Sequence, residues 1–279
     1  MKIQFKELAL LCAAISCLFA CNAPESESVS GPQKYDSSLY ERPDMMISEV
    51  ALPKGYERVA VPEGSFASFL RSLPLRPQGA KLRSCRGLIQ EDQSAVSAVL
   101  FHSVPLNGSV KAADVPVFLY SEYVCMEGNA DDLAFKLPGG FEARYQAWRD
   151  GARFKADGAM PVADTPVPAD SSMAVFSQYL EKVLSFTTAS SISDMFAGVE
   201  EADVQVGDVA VTADGGVFTV ADIAVKRSAK SLLFVCGLDD ASEIYIPASV
   251  GKKSVSPWHA CKKGGYDIGE CSFYRIVGQ

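Results

Sequence analysis

Histidine is scarce in this chain of 279 residues, which holds His102 and His259 and no other. Two imidazoles leave little room for a His-rich metal site. Positive charge is also short, with 26 Lys and Arg against 34 Asp and Glu and a net charge of -8. That deficit argues against nucleic-acid binding, which needs a basic footprint. No apolar run is long enough to make this a multi-span membrane protein. A Gly-rich phosphate loop, a G-x-S-x-G elbow, an H-E-x-x-H pair and a C-x-x-C pair are all missing, so no motif implies a cofactor or a metal. What is present is 48% hydrophobic residues and 22% charged ones, a globular balance that excludes a disordered polyelectrolyte. Eight cysteines are many for a reducing compartment and point to export.

The first residues read as an address. Lys2 and Lys6 precede an uncharged apolar run, Leu8 to Phe19, the pattern of a secretory signal too short to cross a bilayer of about 30 Å. The run ends in Leu18-Phe19-Ala20-Cys21, which resembles the lipobox of bacterial lipoproteins, where cleavage leaves an acylated N-terminal cysteine. Cys21 is therefore the expected lipidation site, and several acyl chains anchor firmly. Removal of residues 1–20 would take Cys12 and Cys17 away and leave Cys85, Cys125, Cys236, Cys261 and Cys271 in the body of the protein. Residues 21–48 follow as the lipidated cysteine and a flexible tether rich in Ser, Pro and Glu, which cannot bury enough apolar surface to order itself. Residues 49–279 then form a single globular domain.

Within it, Val59 to Val61 reads as a strand. Phe66, Phe69, Leu70 and Leu73 follow helical spacing behind Ser65, and Pro74 stops that helix. Ala95 to Ser103 suggests a buried strand. Asp114-Val115-Pro116 opens a helix running to about Met126, since Asp caps free amides and Pro is tolerated in the first turn. Phe141 to Arg149 looks helical, 151–174 a proline-bearing loop, and Val175 to Leu184 an amphipathic helix behind Ser171-Ser172. The last third turns to strands: 207–211, a hairpin at Asp214-Gly215-Gly216, 217–225, Leu232 to Val235 as a central strand, 243–246 and 272–277. Helices first and a mostly antiparallel sheet last predict an α+β fold.

The residues with chemistry are few. Cys236 continues the apolar run Leu232 to Val235 and reads as a core thiol. His259 and Cys261 are close in sequence but lack an evident orienting group. In an oxidising compartment Cys261 could pair with Cys271, and Cys85 with Cys125, although four cysteines allow three connectivities and sequence does not choose. His102 reads as a structural histidine, and Asp131-Asp132 and Asp239-Asp240 as solvated turns.

Several blocks, in order, carry a resemblance: Tyr56-Glu57-Arg58; Ser65-Phe66-Ala67-Ser68-Phe69-Leu70-Arg71-Ser72-Leu73-Pro74-Leu75; Glu122-Tyr123; Phe141 with Tyr145, Trp148 and Gly151; Gly207-Asp208-Val209; and Ser256-Pro257-Trp258. Together they resemble the bacterial secreted domain-of-unknown-function family 4846. The resemblance implies a layout distantly similar to papain-like cell-wall peptidases, with a Cys at a helix start, a His on a following strand and a polar residue on the next. Counted from Glu122-Tyr123, Asp222 and Glu243-Ile244, those positions fall at Ala112, Gly216 and Cys236. No Cys lies between 86 and 124 and no His between 103 and 258, so a shift in alignment does not restore the set. Losing such a nucleophile or base costs on the order of 10⁶ in kcat.

The expectation is thus a membrane-anchored lipoprotein of the bacterial cell envelope, facing the periplasm or exterior. Its domain would be a degenerate papain-like pseudoenzyme that binds a peptide or glycan ligand. The competing expectation is a cysteine-dependent peptidase or amidase with a rearranged site, Cys236 working with His259.

Overall fold

A computed structural model describes residues 45–104, 110–241, 243–249, 256–260 and 266–276. Cys21 and Cys261, with the signal and most of the tether, lie outside the described residues. The strands are β1 (Met45–Met46), β2 (Glu57–Arg58), β3 (Pro74–Leu75), β4 (Val96–Ser103), β5 (Ala134–Leu137), β6 (Phe141–Arg144), β7 (Arg153–Asp157), β8 (Met160–Asp164), β9 (Ala197–Val199), β10 (Val209–Thr212), β11 (Val217–Lys226), β12 (Ala229–Val235), β13 (Glu243–Pro247), β14 (Trp258–Ala260) and β15 (Cys271–Arg275). The helices are α1 (Phe66–Arg71), α2 (Asp114–Met126), α3 (Tyr145–Arg149), α4 (Met173–Leu184) and α5 (Ala189–Met195).

The architecture is mixed α+β and mostly antiparallel strand. One sheet runs β14-β12-β11-β10-β15-β9, with β2 added along β11, and a second runs β1-β3-β4-β13. The two meet where Cys236, just past β12, exchanges both backbone hydrogen bonds with Tyr245 on β13, each 3.0 Å. β12 is therefore shared: β14 pairs its first half at Ser231 to Leu233, and β13 touches its far end. Leu232 to Val235 are fully enclosed, as their two-sided apolar run predicts.

Helix α2 is the pivot between the layers. Asp114 to Glu122 and Val124 are all buried, so every face of the helix meets protein, as a helix apolar all round requires. Its partner α1 starts at Ser65, whose Oγ accepts from the Ser68 amide, and it buries Phe66, Phe69 and Leu70. Helix α4 is capped by Ser172, whose Oγ accepts from the Val175 amide, and it turns Val175, Phe176, Tyr179, Leu180, Val183 and Leu184 inward. Tyr179 is fully buried, and its hydroxyl donates to the Ala143 carbonyl at 2.8 Å.

Four expectations are corrected. The tether is expected to end at 48, but Met45 and Met46 already pair with Leu75 and Pro74, and Ile47 is completely buried. The helix expected over 141–149 is a strand for its first half, because Phe141 to Arg144 pair with Ala134 to Leu137, a partner strand the local pattern did not reveal. The loop expected over 151–174 contains the β7–β8 hairpin, with Pro161 opposite Ala156 in a two-stranded ribbon. A ribbon has open edges, so a strand there tolerates a residue with no N–H. The strand expected at Val59 lies slightly earlier, at Glu57–Arg58, against Val225 and Ala224. Helix α5 was not anticipated; Thr188 and Ser191 close its first turn reciprocally through side chain and backbone.

Candidate functional site

A cleft of about 460 Å³ opens between the start of α2, the β10–β11 hairpin and the end of β12. Ala112, Gly216 and Cys236, brought together by three separate elements, all line it. The local chemistry of each is set by its element.

Ala112 sits two residues before a helix whose first amides are already used. The Asp114 amide donates to the Lys111 carbonyl at 2.9 Å and the Val115 amide to the Ala112 carbonyl at 3.4 Å, while Pro116 has no N–H. Asp114 itself is fully buried, accepting from the Lys111 amide at 2.9 Å and from the Thr187 hydroxyl. Burial raises the pKa of its carboxyl, and Thr187 and Lys111 pull the other way. The Lys111 ammonium turns onto the Thr187 and Leu184 carbonyls at 2.7 and 3.0 Å. An exposed positive helix end, the device that lowers a thiol's pKa, is absent at this position. An Ala112→Cys variant is therefore expected to alkylate with the pH profile of an ordinary thiol, with a midpoint of about 8.5 or higher; a midpoint below about 7 would show an activating field that these contacts do not provide.

Gly216 closes the turn Thr212 to Gly216. Its amide donates to Thr212 Oγ1 at 2.8 Å, and a Cβ placed here would lie 2.7 Å from that oxygen and 2.8 Å from a ring carbon of Phe218. A side chain at the expected base position would force Thr212 or Phe218 to shift. Cys236 is 2% exposed at the foot of the cleft, in a small apolar cluster with Leu82, Val99, Ala241 and Tyr245. Burial pushes its thiol up to about 12, only partly offset by the Tyr245 hydroxyl bonded to it. A thiol held there stays protonated at neutral pH and is not a nucleophile. The set amounts to a methyl group, a hydrogen and a buried thiol.

The rearranged pair, Cys236 with His259, is not assembled. His259 lies opposite Leu232, four residues along β12 from Cys236, a separation of roughly 13 Å at strand rise. Both its ring nitrogens are occupied: Nδ1 is 2.5 Å from Asp267 Oδ1, and Nε2 is 3.1 Å from the Pro247 carbonyl. Ser249 also bonds Asp267, so the group ties β14 to the end of β13. His102 on β4 is buried against α2, its Nε2 2.6 Å from Glu122 Oε2 and its ring tilted over Phe118, consistent with its reading as structural.

The thiols divide by surroundings. Cys85 is exposed, its Sγ 3.3 Å from Asp240 Oδ1, and that carboxylate raises its pKa. Cys125 is half-buried on α2, and the bridge entertained between it and Cys85 is not formed, because Cys85 instead sits beside the 238–241 turn. Cys271 opens β15, but its candidate partner Cys261 lies outside the described residues. Asp239 and Asp240 are exposed as expected, whereas Asp131 is not simply solvated, since it pairs with Arg149.

The sequence reading missed two buried carboxylates. Asp222 binds both Arg58 and Arg71, and Asp208 binds Arg275 Nε and Nη2 at 2.7 and 2.8 Å. The signal was there: an Asp inside the apolar run Val217 to Val225 must be paired to be tolerated.

No curated protein and no solved structure matches the chain. One family model, described as a domain of unknown function (4846), matches residues 46–275, from β1 to the last residue of β15. The match covers both sheets and all three walls of the cleft, and the chain belongs to the family of that domain of unknown function (4846).

Proposed function

We propose that this protein is a lipid-anchored binding module of the bacterial cell envelope, a degenerate papain-like domain that holds a peptide without cutting it. One observation carries the reading: Ala112, Gly216 and Cys236, the positions where the resemblance implies a nucleophile, a base and an orienting residue, line the same cleft. Their convergence supports descent from a catalytic arrangement, and their side chains supply none of its chemistry. The walls are small at Ala112, Ala113, Gly215, Gly216 and Gly237, so a ligand's main chain can approach the protein backbone closely, while Phe218 and Tyr245 offer apolar surface. Such walls suit an extended peptide better than a bulky ring system.

The anchor rests on Leu18 to Cys21. Among the described residues, no helix is long and apolar enough to cross a membrane. A Cys21→Ser variant is expected to leave the membrane fraction for the soluble one; retention in the membrane would remove the lipoprotein part of the proposal.

Incubated with soluble muropeptides, the purified chain is expected to bind them and to release no new amino groups. Hydrolysis that disappears on Cys236→Ala would overturn the non-catalytic reading, and absence of any binding would overturn the binding one.

A further inference from the structure

We draw no further inference here: the strongest candidate, the exposed apolar patch of Leu88 and Ile89 on the loop between β3 and β4, carries nothing, because nothing in the structure shows what covers it.

Discussion

Replacing Asp222 by alanine is expected to destabilise the domain by about 3–5 kcal/mol, the range for removing one partner of a buried charge group. Asp222 is fully enclosed. Its Oδ2 takes Arg58 Nε at 2.6 Å, and its Oδ1 takes Arg71 Nε at 2.7 Å and the Ile223 amide at 2.8 Å. A bulge in β11 between Val220 and Asp222 puts the carboxylate in this place. The arginines come from β2 and α1, so one side chain fastens the N-terminal elements to the central sheet. Their guanidinium groups are held in turn, Arg58 by the Val50 carbonyl at 2.5 Å and Arg71 by the Val59 carbonyl at 2.8 Å. Without Asp222 two positive charges face each other with no counter-charge.

In thermal unfolding the loss corresponds to roughly 6–20 °C for a domain of this size. Arg58→Ala should cost less, about 1–2 kcal/mol, because that side chain is 23% exposed and water screens part of its charge. A loss below about 1 kcal/mol for Asp222→Ala, measured by urea denaturation, would contradict the clamp.

The second large effect is expected at the His102–Glu122 pair, and it depends on pH. Burial alone would lower the pKa of His102, and the Glu122 carboxylate outweighs it, so the folded value lies above the ordinary one. A group whose pKa is raised by folding contributes stability that is fully present below its unfolded pKa, about 6.5, and lost as pH rises through the folded value. The protein should therefore lose stability as pH climbs from about 6.5 through the folded pKa of His102. Glu122→Gln removes the charge that holds the imidazolium. It should cost about 2–3 kcal/mol at pH 6, where the buried imidazolium loses the counter-charge 2.6 Å away, and much less once His102 is neutral in both proteins. Denaturation midpoints of the two proteins across that range make the comparison. Parallel curves would show that His102 does not titrate with folding.

Both predictions concern residues whose identity was plain in the sequence and whose partners were not. Helix α2 was legible from Asp114 to Met126 because an acidic first-turn residue, an N-terminal proline and a largely apolar run are local signals, but Asp114 is not the expected cap: the N-cap is Ala113, and the carboxylate takes the Lys111 amide just ahead of the helix. The β10–β11 hairpin was legible for the same reason, since Asp214-Gly215-Gly216 needs no distant partner to turn the chain. Phe141 to Arg144 was misread because its strand exists only through pairing with β5, and β-structure follows its neighbours more than its own propensity.

The sequence by itself determined what it lacks: at Ala112 and Gly216, the positions the resemblance implies for a nucleophile and a base, no shift of alignment supplies a thiol or an imidazole, because no Cys lies between 86 and 124 and no His between 103 and 258. Local composition also set helices α1, α2 and α4, the main hairpin and the core strand Leu232 to Val235. Only the tertiary structure decided that Ala112, Gly216 and Cys236 share one cleft and that Cys236 is shut beneath Tyr245. It also decided that His259 is bound on both nitrogens, and that Asp222 ties the early elements to the sheet. The physical reason is range. Caps, turns and periodicity act over a few residues and can be read along the chain, whereas burial and pairing join residues such as Arg58 and Asp222 that meet only once the whole domain has closed.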